Sequence, residues 1–446
     1  MLRKLIEKLN NKHMLSLAGS GVISLLSMLI IAILYRGLSI EAVGVWVFFQ
    51  TIHMLLDTFR TGFLQVSLVK FYAGSPAQRA QEVLGSVWYL GIFITALLCL
   101  FNLGFFLLGK DLWSGSLWYA IKWFGITFVS SLPFSVAFWK LQADQRFDQL
   151  FVLRSIQQGS FALFVGVAAY QQWLDLNLLF MGNIGCQILA SGFAFAKKWT
   201  GIENLKYRTS HAIKEITDFG KYSVGTTISA NLLRGTDTFI VEYLLGPAAL
   251  AIYNLPGRLL ELIEIPLRSA VATALPSMAQ AYNKGNVAEL LYILKKYAGV
   301  LFFAFIPLAL GTFVLGDFAI GLLGGGKYAN TEAGNLFKIF MVLAVFYPID
   351  RFIALALDVI HQPRANFFKV MLMLAANILA NFFFITLLGN IYGVAIATIF
   401  PLLIGMFFGS YWLKKYLPFQ FGSIFTAGWH FSMIFLYRQI LKRGKA

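Results

Sequence analysis

The chain has 446 residues, of which 59% are hydrophobic and only 13% charged, with a formal net charge of +16. A mean hydropathy of +0.72 sustained over the whole length excludes an ordinary soluble domain and points to a polytopic membrane protein. In that setting the basic excess reads as an orientation signal, with no nucleic-acid partner.

From the N-terminus, Met1–Lys12 interleaves Arg3, Lys4, Lys8 and Lys12 with Leu2, Leu5, Ile6 and Leu9. This predicts a basic amphipathic helix over residues 1–14, lying on the inner membrane surface. The first apolar run, Leu15 to Tyr35, is long enough to span and lacks a small-x-small cleavage site. It reads as a first transmembrane helix and not as a cleaved signal. Further spans are predicted over 43–69, 84–108, 116–139, 149–170, 176–196, 219–245, 249–279, 292–316, 333–357, 366–388 and 391–413. A thirteenth candidate, Phe419 to Tyr437, either crosses or lies in the interface before the basic tail Arg438–Lys445. The expected fold class is therefore all-α, with about 12–13 transmembrane helices.

Basic residues fall in alternate loops: Lys70/Arg79, Lys140/Arg146, Lys197 to Lys214, Lys284/Lys295/Lys296, Arg364/Lys369 and Lys414/Lys415. The intervening loops hold only Arg36, Lys110 and Lys327. This asymmetry places the N-terminus in the cytoplasm. The longest loop, Lys197 to Asp218, divides the chain into an N-lobe (15–205) and a C-lobe (206–413) of six spans each. An extra hydrophobic segment and basic tail (414–446) follow. Leu38-Ser-Ile-Glu-Ala-Val-Gly-Val-Trp46 aligns with Leu245-Gly-Pro-Ala-Ala-Leu-Ala-Ile-Tyr253, at the same place in each lobe. That implies a parallel pseudo-two-fold repeat around a central cavity.

Charged residues inside apolar spans are expensive and usually functional. Arg60, Arg234, Arg258, Arg268 and Arg351 fall there, as do Asp57, Asp237, Glu261, Glu264, Asp350 and Asp358. In the seventh span Thr227, Asn231, Arg234 and Thr238 recur at i, i+4, i+7 and i+11, giving one polar helical face. Arg234 and Asp237, Arg258 and Glu261, Glu264 and Arg268, and Asp57 and Arg60 are spaced to pair. Two readings follow. The arginines line a cavity and hold an anionic group, for which the planar guanidinium is suited, or each is neutralised locally and ties helices together. The acidic residues are candidates for ion pairing or for H⁺ or Na⁺ coupling, Asp350 and Asp358 foremost. Pro256, Pro266 and Pro276 are expected to kink the eighth span.

Other chemistry finds little support. Gly321-Leu-Leu-Gly-Gly-Gly-Lys327 matches a phosphate-loop spacing, but Tyr328 stands where the Mg²⁺ ligand Ser or Thr belongs. The five histidines lack metal-ligand spacing, and Cys99 and Cys186 read as small apolar residues. No catalytic set, metal site or cofactor is expected.

Several segments resemble a known family. Phe219-Gly-Lys-Tyr, Leu232-Leu-Arg-Gly-Thr-Asp-Thr-Phe239, Leu245 to Asn254, Arg258 and Leu275-Pro-Ser-Met278 look like the central segment of polysaccharide exporters. Tyr35 to Trp46, Leu323 to Ala329 and Asn390-Ile-Tyr-Gly-Val394 also fit. These exporters belong to the multidrug/oligosaccharidyl-lipid/polysaccharide (MOP) superfamily, which includes the Wzx-type O-antigen flippases. The resemblance implies two six-helix lobes around a cationic cavity. It implies transfer of undecaprenyl-diphosphate-linked oligosaccharide from the cytoplasmic to the periplasmic leaflet of a bacterial inner membrane. Membrane lipids and polysaccharide polymerase machinery are the further partners it suggests, and it matches its arginine–aspartate pair to Arg234 and Asp237. Alternatives are a cation-coupled drug exporter and, from another class, a membrane-embedded glycan polymerase.

Overall fold

The computed structural model describes residues 12–109 and 115–443. The amphipathic helix expected over 1–14 falls almost wholly outside the described residues, as do Lys110 and the side chains of the tail Arg438–Lys445. Every described element is helical, and the chain forms two compact units, Met1–Leu232 and Leu233–Ala446.

The first unit comprises α1 (Lys12–Gly37), α2 (Ile40–Tyr72), α3 (Ala77–Leu107), α4 (Gly115–Ala143), α5 (Phe147–Tyr170), α6 (Leu176–Ala196) and the start of α7 (Ser210–Asn283). Helix starts are written in the sequence. Ser39 accepts a hydrogen bond from the Ala42 amide to cap α2, and Asp175 accepts one from Leu178 to cap α6. One π-helical turn, Thr61–Gln65, interrupts α2. Leu64, Leu68, Val83, Val87, Trp88 and Val136 pack at the centre, joined by Ile216 of α7. An added Cβ on Gly62 would come within 3.2 Å of Thr227, so α2 and α7 pass closely there. These contacts draw the first part of α7 into the first unit, and the division falls at Leu232/Leu233 rather than at the 205/206 loop expected from sequence.

Gly246, at φ 82°, breaks α7 into two arms, with Pro247 directly after it. A positive φ is open to glycine without the Cβ penalty, and proline suits the first turn of the arm that follows. Ser39–Ile40 occupies the aligned position ahead of α2, so the two repeat segments join their helices at the same register with different chemistry. Pro256, Pro266 and Pro276 leave helical backbone angles intact, so Gly246 is the break in α7.

The second unit continues with α8 (Val287–Gly324), α9 (Ala333–Ala344), α10 (Tyr347–Val359), α11 (Pro363–Leu388), α12 (Tyr392–Tyr416) and α13 (Ser423–Arg443). Helices α9 and α10 are bent by 43° and are together long and apolar enough to cross a membrane. Between helices in lipid, close packing and hydrogen bonds replace the hydrophobic effect, and glycines supply the approach. A Cβ on Gly299 of α8 would lie 2.5 Å from the Cα of Gly428, so α13 docks backbone to backbone on α8. Phe302–Phe425 and Phe303–Trp429 ring contacts extend that seam.

Among the described residues, nine helices are long and apolar enough to cross a membrane, or ten with the bent pair. That number takes Asn231–Asn283 as one helix and omits α1, whose apolar part Gly21–Gly37 is shorter. With α7 divided at Gly246 and α1 included, all twelve expected positions are helical. The protein is a multi-pass membrane protein.

Candidate functional site

Arg60 is fully buried in the first unit. Its Nε and Nη2 donate to Asp57 Oδ1 at 2.8 and 2.5 Å, and Nη2 also donates to Ser131 Oγ at 2.7 Å. Nη1 donates to the Phe128 carbonyl at 2.9 Å and to Thr95 Oγ1 at 3.5 Å. The Phe128 ring lies 3.6 Å from the guanidinium carbon. A guanidinium has five N–H groups, and all five are used. Arg60 therefore ties α2 to α3 and α4, and it does not line a cavity as one sequence reading expected. Asn231 donates to Thr58 Oγ1 at 2.7 Å, which spends its amide on the α2–α7 seam of the same unit.

The second unit holds a different polar centre. Asp237 does not pair with Arg234. It accepts from Tyr253 Oη at 2.6 Å and from Asn381 Nδ2 at 2.9 Å. The Asn381 amide also reaches Asn377, and Phe340 packs edge-on to Tyr253 at 5.5 Å. Asn381 is completely buried, and its Oδ1 is without a hydrogen-bond partner among the described residues. The carboxylate, on the arm before Gly246, is thus met by neutral donors from the arm after it and from α11, with no cation bonded to it among the described residues.

Asp350 has a partner the sequence reading misplaced. Lys369, expected in a cytoplasmic loop, lies within α11 and is 1% exposed. Its Nζ donates to Asp350 Oδ1 at 2.7 Å. Gly405 and Gly409 of α12 make room: a Cβ at 405 would sit 2.6 Å from Asp350 Oδ1, and one at 409 would sit 3.2 Å from Lys369 Cδ. Asp358 is exposed and accepts from Asn366 Nδ2 at 3.0 Å.

The remaining arginines divide into compensated and uncompensated. Arg258 bonds Asn254 and Glu261, and Arg268 bonds Glu264 at 2.9 Å, as their spacing predicted. These pairs are partly exposed, which limits their worth to stability. Arg234 and Arg351 are exposed and make no direct ion pair among the described residues, although the Asp358 carboxylate lies close enough to feel the charge of Arg351. Arg154, which sequence reasoning passed over, is half-buried in α5, 5.9 Å from the Phe138 ring, with no acidic partner among the described residues.

A sequence model of the family described as polysaccharide biosynthesis protein matches residues 11–282, more than half the chain. The protein belongs to this polysaccharide biosynthesis family. Among curated protein sequences, none matches. Solved structures share the fold. A structure titled lipid II flippase MurJ, inward closed conformation, aligns at TM-score 0.76 with 17% identity, covering 96% of this chain and 93% of the other. An inward-facing multidrug resistance MATE family transporter of the MOP superfamily aligns at 0.74 with 13% identity, covering 88% and 94%. A MOP superfamily transporter from Pyrococcus furiosus, described as having a binding pocket of reversed polarity, aligns at 0.58 with 13% identity, covering 92% and 95%. The fold of this family member is thus that of the MOP transporters.

Within this member of the polysaccharide biosynthesis family, Tyr253, Asn381 and Lys369 meet carboxylates far from them in sequence, Asp237 or Asp350, so no local spacing marks them as site residues. Arg154 did carry a signal: with Ser155, Gln157 and Gln158 it makes a polar stretch eight residues into α5.

Proposed function

We propose that the protein is a flippase that carries an undecaprenyl-diphosphate-linked oligosaccharide, such as an O-antigen, capsule or exopolysaccharide repeat unit, from the cytoplasmic to the periplasmic leaflet of a bacterial inner membrane. The observation that carries this reading is the set of uncompensated arginines inside spans. Holding a guanidinium in a span without a directly bonded carboxylate is costly. The expense is explained if the group meets an anion during transport. A diphosphate fits, because guanidinium binds phosphate through paired, charge-assisted hydrogen bonds. Arg234 and Arg351 in the second unit and Arg154 in the first are each proposed to neutralise phosphate charge at some stage of crossing. Arg258 and Arg268, already paired with glutamates, are secondary. Family membership and the flippase title of one structural relative support the same direction.

Asp237 is proposed as the coupling residue. A carboxylate surrounded by the Tyr253 hydroxyl and the Asn381 amide, beside the unused Asn381 Oδ1, can take up a proton or a Na⁺ ion without an arginine competing for it. Such an event biases one conformation over another only by its difference in affinity for the two. The same cluster would serve a cation-coupled small-molecule exporter, and the uncompensated arginines are what favour an anionic cargo over a cationic drug.

The experiment uses cells lacking the gene. Lipid-linked oligosaccharides are assigned to a leaflet with a sugar-modifying probe that does not cross the membrane. Complete repeat units held on the cytoplasmic face, and released by the wild-type gene, agree with the proposal. Normal delivery in the absence of any second flippase contradicts it and turns attention to drug efflux.

A further inference from the structure

The last turn of α12 carries Lys414 and Lys415, and residues 417–422 lead back into α13. Between the exposed face of α12 and that connector lies a groove of about 650 Å³. One side follows a single helical stripe: Leu403, Phe407, Ser410, Tyr411 and Lys414, at i, i+4, i+7, i+8 and i+11. The other side is Phe419, Gln420 and Phe421. That side is held in place. Phe419 is buried, Ser423 Oγ donates to the Gln420 carbonyl, and Phe421 meets Phe425 at 5.6 Å.

The chemistry is graded along the stripe. Leu403, Phe407 and Tyr411 are exposed apolar surface on a membrane-spanning helix, so the groove opens toward lipid. Ser410 Oγ is buried there with no hydrogen-bond partner among the described residues. At the end stands the Lys414 ammonium, exposed and without a salt bridge among the described residues, with the Gln420 side chain beside the groove. Eleven residues separate Leu403 from Lys414, about 16 Å of helix at 1.5 Å per residue. That is roughly half of a 30 Å hydrocarbon core, the depth of one leaflet.

We propose that this groove is a binding site for one anionic phospholipid. The acyl chain lies along Leu403 to Tyr411, and the phosphate is held by Lys414 with the Gln420 amide as second donor. The volume and the apolar lining with few polar groups are those of a ligand site. The charge decides the headgroup: a lysine with no carboxylate partner prefers net negative charge to a zwitterion. A second groove of about 290 Å³ in the first unit, lined by Leu56, Leu98, Phe101 and Phe105, makes the contrast. Its polar residue, Asn102, spends its amide on the Ile121 carbonyl, and no charge lines it. That groove can take a chain but has no means to choose a headgroup. The lipid site is independent of what cargo the protein carries.

The test is native mass spectrometry of the full-length protein in detergent, titrated with phosphatidylglycerol or with phosphatidylcholine of the same acyl chains. The wild type should retain one phosphatidylglycerol at concentrations where phosphatidylcholine is lost. Lys414→Gln should lower phosphatidylglycerol retention about fivefold, the factor expected for one basic residue near an anionic headgroup, and leave phosphatidylcholine unchanged. Ser410→Trp, which fills the groove, should lower both. Equal retention of the two lipids by the wild type, or unchanged selectivity in Lys414→Gln, would overturn the proposal. So would displacement of the retained phosphatidylglycerol by equimolar polyprenyl phosphate, which assigns the groove to an isoprenoid tail. If Ser410→Trp does not fold, the Lys414→Gln comparison decides alone, since that side chain is exposed.

Discussion

Lys369→Met removes the cation from a carboxylate–ammonium pair in which the lysine is 1% exposed and the Asp350 side chain 20% exposed. The methionine fits the stem of the lysine, so packing against Gly409 is kept and only the charge is lost. Removing one partner of a buried pair typically costs 3–5 kcal/mol, because the other charge is left uncompensated. Asp350 retains some exposure, which favours the low end, about 3 kcal/mol. For a unit the size of Leu233–Ala446, this lowers the melting temperature by roughly 6–12 °C. Asp350→Asn combined with Lys369→Met removes both charges at almost constant volume and should recover most of the loss, because a neutral replacement for a buried pair is often close to neutral in stability. The assay is thermal unfolding of purified protein in detergent, followed by fluorescence-detected size exclusion, for the wild type, both single variants and the double variant. Additive losses in the double variant, with coupling under about 0.5 kcal/mol, would refute the reasoning, since the pair would then be an incidental neighbour relation.

Three other outcomes are expected. Arg60→Lys keeps the charge but loses the planar contact with Phe128 and at least two of five hydrogen bonds, so it should lower the melting temperature while transport per folded molecule stays near wild type; loss of transport with unchanged stability would return Arg60 to the cargo path. Gly428→Leu pushes α13 off α8 and should make the C-terminal helix accessible to added protease, with a stability loss of about 1–3 kcal/mol; a variant as protease-resistant as wild type would show that the glycine contact is dispensable. Asp237→Asn should abolish the dependence of transport on the H⁺ or Na⁺ gradient while leaving the protein folded, because the asparagine keeps the Tyr253 and Asn381 neighbours. Transport that remains gradient-dependent in this variant contradicts the coupling role.

The membrane spans were legible because each is a long apolar run, and a bilayer requires the backbone of such a run to be helical. Local pairs were legible for the same geometric reason: Arg258–Glu261 and Glu264–Arg268 are i, i+3 and i, i+4 neighbours whatever surrounds them. Arg234 and Asp237 satisfy the same spacing and yet do not pair. Asp237 is taken by Tyr253, 16 residues away across the Gly246 break, and by Asn381, 144 residues away. No single-helix pattern carries that information. Lys369 was misread for a related reason. A lysine near the edge of an apolar run looks like a loop cation until Asp350 and the two glycines of α12 are placed around it. Arg154 has no acidic residue at pairing distance along its own helix, so no i, i+3 or i, i+4 pattern marks it.

The most direct test of the central claim is made with purified protein in liposomes containing a polyprenyl-diphosphate-linked oligosaccharide, whose leaflet is read by a glycan-modifying enzyme added outside. The wild type should make the inner-leaflet glycan accessible, and Arg234→Gln/Arg351→Gln, with an unchanged melting temperature, should not. Equal translocation by the double variant would contradict the role assigned to the uncompensated arginines. No translocation by the active wild type, together with export of cationic dyes, would contradict the flippase reading itself.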